Sequence, residues 1–106
     1  MSLYLWHATY TVDGTKGLIK EGGTKRRAAV QKMVEQLGGK LHAFYYAFGD
    51  TDVYCIVDLP DHATAAAASF AVYAAGGAQV KTIVLLTPEE IDSASKKAVA
   101  YRAPGS

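Results

Sequence analysis

An imidazole beside a carboxylate can act as a base near neutral pH, and His42 and Asp58 are the pair in this sequence spaced for that chemistry. They sit on two apolar, aromatic-rich runs, 40–48 and 53–59, which flank Gly49-Asp50-Thr51-Asp52 as the strands of a β-hairpin flank a turn. A three-residue turn, Gly49 to Thr51, sets Phe48 opposite Asp52, Tyr46 opposite Tyr54, Phe44 opposite Ile56 and His42 opposite Asp58. In that register Asp58 would hold one tautomer of His42 and raise its basicity, which makes the two the candidate catalytic residues. The plainer alternative is a polar pair at the rim of an interface. A four-residue turn would swap the faces of one strand relative to the other; the three-residue register is the one expected.

Trp6, Tyr46 and Tyr54 could stack on a ligand or hydrogen-bond to it, or could fill an interface. His7 follows Trp6 on the first strand and so points to the opposite face, either as a ligand contact or as a structural histidine. His62 beside Asp61 reads as an exposed residue at a helix start. The three histidines are far apart and lack metal-ligand spacing, so no metal and no cofactor is expected. Lys16, Lys20, Lys25, Arg26, Arg27 and Lys32 are six of the eleven basic residues. Lys25 to Arg27 lie at a helix start after Gly22-Gly23, where free N–H groups and a cation such as Arg26 could hold a carboxylate or phosphate. The alternative is a solvated basic face. The cluster lacks interleaved aromatics, and the glycine pairs match no phosphate loop or dinucleotide motif.

The elements that must position these residues follow from periodicity and punctuation. Leu3–Tyr10 reads as a first strand. Thr11 can cap a segment from Val12 to Lys20, which Gly14 and Gly17 should leave short or irregular. Thr24 is the expected cap of the main first helix, Lys25 to Leu37, whose stripe is Ala29, Val30, Met33, Val34 and Leu37 and whose end is Gly38-Gly39. After the hairpin, Asp61 caps an alanine-rich helix from Ala63 to Ala75, Gly76-Gly77 ends it, and Gln79–Leu86 is a fourth strand. Thr87-Pro88-Glu89-Glu90 starts a last helix expected to reach about Ala100. The tail 101–106 is expected to be mobile or to serve assembly. The order is that of a ferredoxin-like βαββαβ α+β domain: a four-stranded antiparallel sheet with both main helices on one face, plus a C-terminal helix.

With 106 residues the chain makes one domain, and with half of them hydrophobic it is not disordered. A net charge of +1 gives no general attraction to nucleic acid. The single cysteine, Cys55, lies mid-strand among Val53, Ile56 and Val57, as a buried apolar side chain does. No apolar run approaches the roughly 20 residues that span a bilayer, and no secretory leader pattern opens the chain, so a cytoplasmic protein with no membrane partner is expected.

Eight of the eleven aromatic residues fall in the first three strands: Tyr4, Trp6, Tyr10, Phe44, Tyr45, Tyr46, Phe48 and Tyr54. Strand side chains alternate, so one layer of helices cannot shelter them all. The uncovered face is expected to meet a second copy, sheet against sheet, with either a dry core or a small pocket between.

The chain resembles the GYD-domain proteins. The likeness rests on Tyr10-Thr11 with Gly14, Glu21-Gly22-Gly23, Leu37-Gly38-Gly39-Lys40-Leu41 and Phe44-Tyr45 through Asp52, and continues in Leu59-Pro60-Asp61, Val80-Lys81-Thr82, Leu86-Thr87-Pro88-Glu89-Glu90 and Tyr101-Arg102-Ala103-Pro104. Thr51 stands where the family has the tyrosine of its Gly-Tyr-Asp signature, with Gly49 and Asp52 kept. The resemblance implies a dimeric α/β barrel of two ferredoxin-like subunits. The wider superfamily includes cofactor-free monooxygenases, isomerases, haem-handling proteins and non-enzymatic binders, and fold alone does not choose among them. The expected function is a homodimer that binds a small, partly aromatic or anionic molecule between its sheets, lined by Trp6, His7, Tyr46, Tyr54 and Arg26. The alternative is a cofactor-independent isomerase or monooxygenase-like enzyme with His42 as general base.

Overall fold

A computed structural model describes residues 1–47 and 49–106. In chain order its elements are β1 (Ser2–Tyr10), α1 (Val12–Glu21), α2 (Gly23–Gln36), β2 (Lys40–Tyr46), β3 (Val53–Leu59), α3 (His62–Ala74), β4 (Ala78–Leu85) and α4 (Pro88–Ser95). The strands form one antiparallel sheet in the order β2-β3-β1-β4. This is the expected ferredoxin-like α+β arrangement, with β2 and β4 at the edges.

One face of the sheet carries the core. Tyr4 and Trp6 of β1 and Val53, Cys55, Val57 and Leu59 of β3 are buried there with Val34 of α2 and Ala65 and Ala68 of α3. Strict alternation along β3 puts its even-numbered residues on the other side. Alanines at the α3 contact bring that helix close to the sheet, and Ser69 Oγ lies 3.1 Å from Thr82 Oγ1 on β4. Burying a Val or Leu in such a core stabilises by about 1.5–3 kcal/mol, which is why alternation dominates β3.

Three helix boundaries differ from expectation. α1 is a regular ten-residue helix in spite of Gly14 and Gly17. Thr11 caps it by accepting from Gly14 N–H, and Thr11 N–H donates to Gly77 O at 3.1 Å, so tertiary ties offset the poor glycine propensity. α2 starts at Gly23 with Gly22 as its cap, because Gly22 at φ +89° makes the sharp turn that separates the two helices. α4 ends at Ser95 rather than near Ala100. A capping box starts it, with Thr87 accepting from Glu90 N–H at 3.1 Å, but none of its residues is buried and residues 96–100 beyond it are exposed, so no core contact among the described residues extends it. The C-terminal arm lengthens the molecule to 56 Å and raises the radius of gyration to 16.9 Å, against about 13 Å for a compact chain of this size.

The hairpin register is the main correction. Tyr46 pairs with Val53, Tyr45 with Tyr54, Phe44 with Cys55 and Ala43 with Ile56. Ala47 N–H donates to Asp52 O at 2.9 Å, so the connection spans four residues rather than three. The expected pairing of Phe48 with Asp52 lies outside the described residues. Two forces select the observed register. It buries Phe44 on the helix side beside Cys55 and turns Tyr46 toward α2, and it frees the Asp52 carboxylate to accept from Tyr10 N–H at 2.9 Å. A β-bulge at His42 then restores Leu41 opposite Val57 on the core side and leaves Lys40 opposite Asp58.

The strand aromatics do not all face the helices, as expected, but fewer of them than expected reach the open face. Tyr4, Trp6, Tyr10, Phe44 and Tyr46 go to the helix side, and only Tyr45 and Tyr54 of the described strand aromatics go to the open face. The open face is nonetheless apolar, through Leu3 and Leu5 of β1, Ile56 of β3 and Ile83 and Leu85 of β4.

Candidate functional site

The site residues named from sequence occupy both sides of the sheet. On the open side, His42 reaches Asp58 from within the bulge rather than from the opposed position, with Nε2 3.7 Å from Asp58 Oδ2. That separation is an ion-pair distance for protonated His42 and too long for a hydrogen bond. Asp58 is the better sheltered of the two, and its Oδ1 is buried with no hydrogen-bond partner among the described residues. Further along the same face, the His7 ring stacks on Tyr54 with centroids 6.2 Å apart, and Nδ1 lies 3.3 Å from Thr51 Oγ1. Tyr54 and Asp58 are four residues apart on β3, roughly 13 Å along a strand. The open face therefore carries two separate polar groups, His7 with Tyr54 and His42 with Asp58.

On the helix side, Trp6, Arg26 and Tyr46 come together with Tyr10, which the sequence reading left unassigned. Between the sheet and helices α2 and α3 lies a mostly apolar cavity of about 70 Å³, walled by Trp6, Phe44, Val53, Cys55 and Ala68, with Tyr10 and Arg26 also lining it. Trp6 is only 5% exposed, and its indole Nε1 has no hydrogen-bond partner among the described residues. Tyr10, Arg26 and Met33 also line a wider groove of about 400 Å³ between α1, α2 and α3. Tyr10 borders a third space of about 450 Å³ with Tyr46 and Asp52.

The polar groups at this mouth have distinct environments. Tyr46 donates its hydroxyl to Gly23 O at 3.0 Å, which ties β2 to the start of α2. Its phenol is pushed up to about 12, first by burial and then by the neighbouring Tyr10. Arg26 is half-buried and stands 3.7 Å from Glu21, a weak and replaceable partner. Burial pushes the Cys55 thiol up to about 12, which disfavours the thiolate and leaves the side chain as part of the cavity's apolar wall. No group of three or more His, Cys, Asp or Glu is arranged to hold a metal among the described residues. Nor is any helix among them long and apolar enough to cross a membrane.

Tyr10 and Phe44 were missed as lining residues because the expected register put Phe44 on the wrong face. Tyr10 had a usable signal: it shares the parity of Trp6 on β1.

Sheet order, helix placement and the Asp52 clasp define an α+β protein of ferredoxin-like form. Residues 4–95 match the GYD domain family, and the chain belongs to it. No curated protein and no solved structure matches the chain.

Proposed function

We propose that this GYD-domain chain works as a homodimer closed through its open sheet face, and that it binds a small, partly aromatic or anionic molecule. The observation that carries the reading is the uncovered face itself. Leu3, Leu5, Ile56 and Leu85 lie only partly covered on it, Tyr54 and Ile83 are 43% and 45% exposed, and the described helices that pack on the sheet lie on its other face. A contiguous apolar surface of this kind on a small chain favours a protein partner, and an antiparallel sheet leaves a flat face that a second copy can match by two-fold symmetry. The projecting arm adds Ile91, Val99 and Tyr101, all exposed, as further surface for the same partner. His7 with Tyr54 and His42 with Asp58 would then face the space between the sheets, where a planar or anionic molecule has a ring to stack on and an imidazole to pair with.

Sedimentation of the protein from about 1 to 100 μM tests this reading, a range set by typical affinities of reversible dimers. A mass of twice 11.3 kDa is expected across the upper part of the range. A mass of 11.3 kDa throughout would sink the reading.

A second reading, an enzyme with His42 as general base, is favoured by the 3.7 Å approach of His42 to the sheltered Asp58. Asp58 would orient the ring and stabilise its protonated form after it takes a proton from substrate. A cofactor-independent proton transfer, as in an isomerisation, fits this pair better than nucleophilic chemistry, since the cysteine is buried. The His42→Ala variant would keep its fold and lose any turnover.

A further inference from the structure

We infer that the groove between α1, α2 and α3 is a ligand site within each subunit, that it takes a short unbranched aliphatic monocarboxylate, and that Glu21 holds the place of the ligand's carboxylate until one arrives. All of its walls belong to one chain, so the site is independent of the dimer and of any molecule held between the sheets.

Size and continuity define the site. The groove measures about 400 Å³, within the ~300–1,000 Å³ of small-molecule sites. Small residues keep it open: Gly14 and Gly17 of α1 face it, with Ala71 and Ala75 at the end of α3. No atom lies within 4 Å of where a Cβ on Gly17 would stand. Tyr10, Arg26, Met33, Val72 and Ala78 line both the groove and the inner cavity behind it, so the two spaces adjoin.

The inner cavity selects the chain. Its volume of about 70 Å³ is roughly half of the ~150 Å³ that accommodates a benzene ring. An aromatic ring does not fit there, whereas the end of an unbranched alkyl chain does. Val30, Phe44, Val53 and Val80 wall it with nothing to solvate a charge, so the charged end of a ligand stays outside.

Arg26 and Glu21 select the head. Among the described residues they are the only charged ones that line either space. Arg26 borders both, and its side chain is 37% exposed, so a ligand arriving from water can reach it. Glu21 Oε2 stands 3.7 Å from Arg26 Nη1, too far for a hydrogen bond. Because Glu21 lies on the groove, its carboxylate marks a side from which an anion approaches this guanidinium. Glu21 ends α1 and is itself 38% exposed. Such exposed pairs contribute little, so it can turn to water when a ligand carboxylate makes a closer, two-pronged contact. Arg26 is one turn into α2, where the positive end of the helix dipole favours the exchange. An alkylamine would meet Arg26 as a like charge, and a neutral chain would leave it with Glu21.

Met33 reports on the site, since it lines both spaces, and the chain has only one other methionine, Met1, which is 70% exposed. Protein labelled with carbon-13 at the methionine methyls therefore gives two peaks, one at the site and one remote from it. Pentanoate should move the Met33 peak saturably and leave the Met1 peak in place. Pentan-1-ol, without the charge, and benzoate, with a ring in place of the chain, should each bind about tenfold weaker. Arg26→Gln should weaken pentanoate about tenfold and leave pentan-1-ol unchanged, a comparison that controls for a variant that merely loosens the fold. Glu21→Gln removes the internal competitor and should tighten pentanoate about threefold, again without effect on pentan-1-ol. Tyr54→Ala, on the opposite face of the sheet, should leave both ligands unchanged. A Met33 peak that pentanoate does not move saturably would overturn the assignment, as would benzoate binding as well as pentanoate, or acid and alcohol responding alike to Arg26→Gln. Weaker pentanoate binding in Glu21→Gln would overturn the role given to Glu21.

Discussion

Asp52 clasps the end of β1 through Tyr10: its Oδ2 accepts the Tyr10 N–H at 2.9 Å, while the Asp52 N–H donates to Ala8 O at 2.9 Å. The carboxylate that the family signature keeps thus has a structural task in this chain, joining the hairpin connection to the strand that supplies Trp6 and Tyr10. Thr51, which stands in place of the signature tyrosine, reaches His7 instead. Asp52→Ala leaves a partly buried N–H without its partner, and a loss of about 1–3 kcal/mol is expected. Asp52→Asn keeps an acceptor and should lose less than half as much. Urea denaturation of the two variants checks the order; equal stabilities would show that the side chain is not the clasp.

Gly14 in α1 meets the turn after α3. A Cβ on Gly14 would run into the carbonyl oxygen of Gly77, the group that also accepts from Thr11 N–H. Backbone cannot retreat as a flexible side-chain end can, so Gly14→Ala should cost about 1–3 kcal/mol or more. Gly17, ten-residue helix notwithstanding, has open space around it. Gly17→Ala should stabilise by about 0.5–1 kcal/mol through helix propensity. Thermal melts of the two variants should move in opposite directions, which a purely propensity-based effect would not produce.

Cys55 and Tyr46 give the fold an alkaline limit. The thiol rises from 9.0 to about 12 and the phenol from 10.0 to about 12, both chiefly through burial. The folded chain then keeps protons that the unfolded chain releases. Stability contributed by these groups is complete below pH 9, and falls as pH rises from 9.0 toward about 12. Cys55→Ala removes the thiol's share, so its stability should decline less steeply than wild type over that window. Urea melts at intervals of pH from 8 upward, within the range set by ordinary thiol ionisation, measure this; parallel curves for the two proteins would refute it. Below pH 9 the native thiol should also resist alkylating reagents, because burial both holds it protonated and screens it from them.

Local chemistry made most of this architecture readable. Thr11, Asp61 and Thr87 cap the helices they were expected to cap, and the alternation of Val53, Cys55, Val57 and Leu59 places the core face of β3 directly. What escaped was set by distant partners. The hairpin register depends on Tyr10 N–H and Ala8 O drawing Asp52 to β1, a contact across 42 residues of sequence in the first case. The bulge at His42 depends on keeping both Leu41 and Phe44 on the core side, which no two-residue period in β2 alone can report. Of the candidate site, the pairing of His42 with Asp58 was legible although the register assigned to it was not, because the bulge lets His42 lean toward the same carboxylate. The division of Trp6 from His7 was legible in the alternation of β1, whereas the company of Trp6 with Arg26 and of His7 with Tyr54 followed from the packing of the sheet and helices, which no spacing in the chain displays.

The open face supplies the last expectation. Ile56 lies near its centre, between Leu5 on β1 and Ala43 on β2. A lysine there can still extend its stem over the sheet and hold its charge in water in a monomer, but two such lysines facing each other across a symmetric interface would bring like charges into an apolar contact. Ile56→Lys should therefore leave the fold intact and shift the sedimenting mass toward the monomer, with at least a tenfold rise in the dimer dissociation constant, or more than about 1.4 kcal/mol. Ile19→Lys is the matched control, since Ile19 is 79% exposed on α1 and far from that face. If both variants weaken association equally, the second copy docks elsewhere; if neither does, the aliphatic residues of the open face are not what holds two chains together.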